Sequence, residues 1–296
     1  MKILDGKLVS STILSDIKSE IETRQQEEHL GLRLKIPSMA VVMVGDNPAS
    51  ETYVKFKLRA AEKAGIEAHL IKFPETVTQF ELVKEIWKLN QSHFNGYIVQ
   101  LPLPSHIDKE AIIANIDPDK DIDGFTPINF GKSAIGLKDS IKPATPYGIL
   151  KLLEYYDIET LGKHVVVIGR SDIVGKPISI LLGNDFKIGR STVTSCDINT
   201  PKELLREETK RADIVIVAAG CPNLLTGDMV KEGVIVIDVG INRLDNGKLV
   251  GDVDYEEVSK KASYITPVPG GVGPMTIGAL MLNVMQCWKR KNFIHD

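Results

Sequence analysis

The chain has 296 residues, 43% of them hydrophobic and 25% charged, enough to bury a substantial core in two domains or one large one. A formal net charge of -3 leaves no basic footprint for nucleic acid. The three cysteines, Cys196, Cys221 and Cys287, form no close pair that would suggest a disulfide framework or a zinc site, and they fit a reducing, cytoplasmic compartment.

The N-terminal stretch MKILDGKLVSSTILSDI alternates polar and apolar residues and reads as neither a signal peptide nor a membrane anchor. No apolar run elsewhere is long enough to span a bilayer. The first strand-like run is Met39 to Val44, followed by Gly45-Asp46-Asn47-Pro48, which predicts a turn with Asn47 capping a helix and Pro48 at its first position. On that helix Tyr53 and Lys57 stand four residues apart and share one face, so a ring and an amine can line the same pocket. An ordinary amphipathic edge accounts for the same spacing, and Lys55 and Arg59 read as solvated. The next helix places Phe80, Val83, Ile86, Trp87 and Asn90 on one stripe.

A second strand, Gly96 to Leu101, runs into Gln100-Leu101-Pro102-Leu103-Pro104, a polar side chain at a strand's carboxyl end before rigid prolines, a natural wall for a ligand crevice. The loop Pro118 to Phe125 carries several carboxylates beside a glycine; most read as solvated turn residues, with Asp123 before Gly124 the one expected to point inward. Prolines and a glycine in DSIKPATPYG, residues 139 to 148, break the periodicity and mark the domain boundary. A helix bearing Ile149, Leu152, Leu153 and Tyr156 then leads into a second series.

Val165 to Ile168 reads as a buried strand, followed by Gly169-Arg170-Ser171-Asp172-Ile173-Val174-Gly175-Lys176-Pro177 and a helix from near Pro177. Small residues at such a junction let a pyrophosphate approach backbone N–H groups at the helix's positive end. The run is not a strict GxGxxG: Ser171 replaces the second glycine and Gly175 comes one residue late, so a ligand-free turn fits equally well. The strand Thr192 to Cys196 ends in Asp197, where dinucleotide folds place an acid for ribose hydroxyls. Further strands, Ile214 to Ala218 and Val234 to Val239, and a last helix from about Ile277 to Trp288 complete the pattern. Strands alternating with helices predict an α/β protein with parallel sheets, two rather than one.

The strings YVKFK, VQLPLP, PDKDIDGF, GRSDIVGKP, IDVGIN and TPVPGGVGPMT, in that order over the whole chain, resemble the motif series of the methylenetetrahydrofolate dehydrogenase/cyclohydrolase family. The resemblance implies a folate-binding catalytic domain over residues 1–145, completed by a C-terminal helix over 277–296, and a Rossmann-like NAD(P)-binding domain over 146–276. It makes Lys57 the catalytic lysine, Gln100 its hydrogen-bonding partner, Tyr53 the ring that stacks on folate and Asp123 the carboxylate that grips the pterin. Pro269, Gly270 and Gly271 would help close the folate cleft, and Arg170, Ser171, Ile241 and Thr276 match positions that contact the cofactor. It also implies tetrahydrofolate derivatives as substrates, NADP or NAD as cofactor, a homodimer, and no metal.

The implied chemistry suits these side chains. Hydride passes directly from the methylene carbon of 5,10-methylenetetrahydrofolate to the nicotinamide, so orientation by stacking outweighs any dedicated base. Water must then attack the methenyl cation, and an amine assists as general base only when neutral; burial and a cationic substrate both lower a lysine's pKa.

Two departures from the family pattern stand out. Ala144 replaces a common cysteine to which no catalytic role attaches, and Cys196-Asp197-Ile198-Asn199-Thr200 replaces Cys-His-Ser-x-Thr, whose serine helps to hold the 2'-phosphate of NADP. Ile198 cannot do so, and the altered loop keeps a dehydrogenase without cyclohydrolase activity in view as the alternative. A non-catalytic folate- or nucleotide-binding protein would be expected to lack Lys57 or Asp123, and both are present.

Overall fold

The structure, a computed structural model, describes residues 1–26 and 35–292. In chain order, β1 (Lys2–Ile3) and α1 (Gly6–Gln26) precede β2 (Ser38–Val44), α2 (Pro48–Lys63), β3 (Glu67–Phe73), α3 (Gln79–Asn90) and β4 (Gly96–Val99). Three helices follow: α4 (Lys109–Ala114), α5 (Pro127–Ala134) and α6 (Ala144–Tyr155). Next come β5 (His164–Ile168), α7 (Gly175–Gly183), β6 (Thr192–Cys196), α8 (Lys202–Arg211), β7 (Ile214–Val217) and β8 (Ile235–Asp238). The ribbon β9 (Asn242–Arg243) and β10 (Leu249–Val250), then α9 (Tyr255–Val258), β11 (Tyr264–Ile265) and α10 (Val272–Lys291), end the described chain.

These elements form two compact units, one of residues 1–10, 133–138 and 145–276, the other of 11–132, 139–144 and 277–296. The second contains a parallel sheet in the order β3-β2-β4, with β2 buried along its whole length. The first contains a parallel sheet in the order β1-β11-β8-β7-β5-β6, whose β7 is buried throughout. Such continuous apolar strands belong to sheets covered on both faces, which is the α/β class that the sequence predicts.

Several elements differ from expectation. The pairing of Lys2 and Ile3 with Tyr264 and Ile265 draws residues 1–10 to the six-stranded sheet, away from the domain that 1–145 was expected to form. Two-residue strands carry no periodicity to reveal this. The stripe on α3 is also different: Leu82, Ile86 and Leu89 are buried, whereas Phe80 and Trp87 are 61% and 51% exposed. Trp87 instead donates its indole N–H to Asn115 Oδ1 at 3.0 Å, an amphipathic use of a large ring.

Two helices begin earlier than their prolines suggest. α7 starts at Gly175 and α10 at Val272, so Pro177 and Pro274 each lie third in the helix. There the missing N–H would have had no intrahelical acceptor, and proline is tolerated. Residues 293–296 of the expected final helix lie outside the described residues.

Candidate active site

Lys57 projects from α2, whose start is set as the sequence predicts: Asn47 Oδ1 accepts from the N–H groups of Ala49 and Ser50, and Pro48 opens the helix. Its Nζ donates to Gln100 Oε1 at 3.0 Å. Gln100 follows β4, and its own amide donates from Nε2 to Leu101 O at 2.6 Å. With its N–H₂ so engaged, Gln100 presents an oxygen to the amine and leaves the nitrogen's lone pair, once deprotonated, free for chemistry.

Asp123 is the charge facing Lys57. Burial lowers the Lys57 pKa, opposed by the negative charge of Asp123. Burial raises the Asp123 carboxyl above the usual range, opposed by Lys57, while Asp121 adds to the rise. Tyr53, one helical turn before Lys57, is exposed. Pro102 is exposed, and Leu103 is half-buried against the core around β2 and β4.

The residue that sequence reasoning missed in this unit is Asp121, assigned to the solvated turn. It is buried, and its carboxylate accepts from the N–H groups of Gly124 (2.8 Å), Phe125 (3.2 Å) and Thr126 (2.8 Å) and from Asn129 Nδ2 (3.0 Å). These bonds shape the loop that carries Asp123. Gly124 completes it with φ +73°, where a Cβ would lie 2.6 Å from the Lys142 carbonyl carbon.

The glycine turn lies in the other unit. Gly169, at φ +115°, donates to Cys196 O at 2.8 Å, and a Cβ there would be 2.1 Å from Ala218 O. A Cβ on Gly175 would be 1.9 Å from Gly169 O, so both glycines allow close backbone approach. Ser171 Oγ accepts from the N–H groups of Val174 (3.3 Å) and Gly175 (3.4 Å) at the start of α7. Gly175→Ala is therefore expected to cost about 1–3 kcal/mol through forced backbone movement and to weaken dinucleotide binding. Urea melts and dinucleotide titration of the variant check this, and an unchanged melt together with unchanged binding would contradict it.

Arg170 donates to Ser195 O at 2.6 Å, to Ser195 Oγ at 3.3 Å and to Asp197 Oδ2 at 3.2 Å. Asp197 Oδ1 in turn accepts from Asn199 N at 3.0 Å. Ile198 beside it is 98% exposed. Ile241 is exposed, and Thr276 Oγ1 lies 2.9 Å from Thr145 Oγ1. Of the expected folate-closing residues, Pro269 is exposed, while Gly270 O accepts from Lys7 N at 3.2 Å and Gly271 O would lie 1.8 Å from a Cβ on Gly6. These three share the unit of the glycine turn; Tyr53, Lys57, Gln100 and Asp123 share the other.

Models of the tetrahydrofolate dehydrogenase/cyclohydrolase family match both parts of the chain, the catalytic domain over residues 4–123 and the NAD(P)-binding domain over 143–292. The chain belongs to this family. A bifunctional protein FolD of Geobacter metallireducens is 55% identical over 98% of both chains. The crystal structure of the FolD dehydrogenase/cyclohydrolase of Campylobacter jejuni is similar with a TM-score of 0.92 at 49% identity, covering 98% of this chain and 99% of that one. The Trypanosoma brucei FolD, solved with NADP cofactor and inhibitor, is similar at a TM-score of 0.90 and 36% identity over 98% of each chain. As a family member the chain takes a nicotinamide dinucleotide in its second matched domain.

Proposed function

We propose that Lys57, oriented by Gln100 and balanced against Asp123, is the general base of the cyclohydrolase step in a bifunctional enzyme. The enzyme oxidises 5,10-methylenetetrahydrofolate to the methenyl form with NAD(P)+ and hydrolyses that product to 10-formyltetrahydrofolate. The bound nicotinamide supplies the hydride acceptor. In the second step water attacks the methenyl carbon and gives one proton to the neutral Lys57 amine; in the resulting neutral adduct the bond from that carbon to N5 then breaks, the hydroxyl proton passing to the departing nitrogen, and the formyl group stays on N10. Asp123 accepts hydrogen bonds from the pterin N–H groups, and the Tyr53 ring stacks on the folate. The observation that carries this reading is the 3.0 Å bond from Lys57 to an oxygen of Gln100, beside a desolvated carboxylate. The reading assigns no role to a metal.

Absorbance of the methenyl species provides the test. Transient accumulation followed by decay is expected; stable accumulation would leave a dehydrogenase alone, and the bifunctional relatives speak against that alternative. The reading extends to a cytoplasmic homodimer, and light scattering of the purified protein measures the dimer.

The proposal for cofactor choice rests on Asp197. Its partner is Arg170. The guanidinium that would hold a 2'-phosphate is thus already shared with a carboxylate that repels it. Two unit charges about 4 Å apart interact by about 1 kcal/mol in water and about 4 kcal/mol at an effective dielectric near 20. Even the lower figure approaches the 1.4 kcal/mol of a tenfold preference. NAD is therefore expected within about tenfold of NADP in kcat/KM, and Asp197→Ser is expected to move preference towards NADP. Steady-state kinetics with both dinucleotides at matched ionic strength decide, and a preference of about a hundredfold for NADP would sink the idea.

A further inference from the structure

Beneath the loops of the six-stranded sheet lie two buried acids that the chemistry above does not use. Asp252, fully buried, accepts through Oδ2 from the consecutive N–H groups of Ala219 (2.7 Å) and Gly220 (2.8 Å), and through Oδ1 from Asn242 Nδ2 (2.8 Å). Asp238, at the end of β8, accepts through Oδ1 from Gly240 N and Asp252 N and through Oδ2 from Val253 N, each at 3.0 Å. Backbone presses directly on both: a Cβ on Gly240 would be 2.2 Å from Asp252 Cγ, and one on Gly251 would be 1.8 Å from Asp238 Oδ2.

These bonds converge on the carboxyl ends of β7 and β8, where parallel sheets bind their ligands. Ala218, next to the tethered Ala219, donates to Ile168 O at 2.7 Å, and its own oxygen abuts Gly169. Asn242 follows Ile241, one of the expected cofactor contacts. We infer that Asp252 is a positioning residue of the dinucleotide site, one carboxylate that fixes both the loop packed on Gly169 and the loop that carries Ile241. Burial pushes the Asp238 carboxyl up to about 6, with the Asp252 charge adding to the rise. Two acids kept so close under such desolvation are costly, a pattern found where geometry serves a site.

The inference rests on the Gly169–Gly175 turn being the dinucleotide seat, and the test separates the two. In the full-length enzyme, Asp252→Ala is expected to raise the Kd of both NAD+ and NADP+ by about tenfold or more, measured by titration calorimetry. The cyclohydrolase rate on added 5,10-methenyltetrahydrofolate, which uses no dinucleotide, should stay within about twofold of wild type, a shift a general loss of structure would not spare. Asp252→Asn should bind dinucleotide within about threefold of wild type, because its oxygen still accepts from Ala219 and Gly220 while the Asn242 amide turns over to accept.

A folded Asp252→Ala protein with dinucleotide affinity within about twofold of wild type, or with both activities lost together, would overturn the inference. Should that variant not fold, Asn242→Ala decides: a rise in Kd of about threefold with cyclohydrolase unchanged supports the role, and no rise removes it. Ser171→Asp keeps the acceptor at the start of α7 and adds a charge beside the pyrophosphate. Weak binding there with normal binding in Asp252→Ala would remove only the positioning role; normal binding in both would remove the site as well.

Discussion

Lys57→Met is expected to lower the cyclohydrolase rate by about a hundredfold or more, within the range a positioned general base contributes, while leaving dinucleotide binding and the melting temperature near wild type. The selectivity follows from where the side chain ends. Lys57 is half-buried, its amine is held by a side-chain oxygen of Gln100, and methionine retains most of its aliphatic stem. The Gly169–Gly175 turn, the proposed dinucleotide seat, belongs to a different compact unit. Retention of more than about a tenth of the rate, a barrier change below about 1.4 kcal/mol, would remove Lys57 from the mechanism. In wild type the rate should rise with pH as the amine deprotonates, with its midpoint below the ordinary lysine value of about 10.4, because burial disfavours the ammonium. A midpoint at or above the ordinary value would contradict the burial argument.

Substitution of Asp123 is expected to have two separable effects. Asp123→Ala removes the acceptor of charge-assisted bonds, worth about 1.5–3 kcal/mol, so folate affinity should fall by about ten- to a hundredfold while dinucleotide affinity holds. Equal losses for both ligands would instead indicate a folding role for the loop. Asp123→Asn acts on Lys57 as well. The carboxylate is the influence that raises the lysine's pKa against burial, so its neutralisation should move the rising limb of the cyclohydrolase pH profile to lower pH. A limb that stays in place or moves to higher pH would show that the two groups are not coupled.

The sequence made most of the scaffold legible where burial is continuous. β2, β5 and β7 read as strands because parallel strands covered on both faces are nearly unbroken apolar runs. β3 did not, since it is an edge strand whose EAHLIKF mixes exposed and half-buried positions and has none fully buried. The starts of α7 and α10 were misplaced where proline and glycine both fall within the first turn, because the same residues punctuate loops, whereas Asn47 and Pro48 together marked the start of α2. Within the site, the four-residue spacing of Tyr53 and Lys57 was visible but ambiguous, and the contact with Gln100, 43 positions further on, distinguishes a held amine from a solvated one. Asp121 and Asp252 were invisible as structural acids because a carboxylate's burial depends on backbone donors that composition does not announce.

Asp121 has a thermodynamic consequence for the carboxylate two residues after it. With the N–H groups of Gly124, Phe125 and Thr126 already bound, the backbone around Asp123 is ordered before substrate arrives. Fixing one residue's backbone costs about 1–2 kcal/mol, so a loop left free over even three residues would subtract several kcal/mol from folate affinity. Association should accordingly show a small conformational-entropy penalty in calorimetry, and the loop should contribute little to the activation barrier for substrate entry.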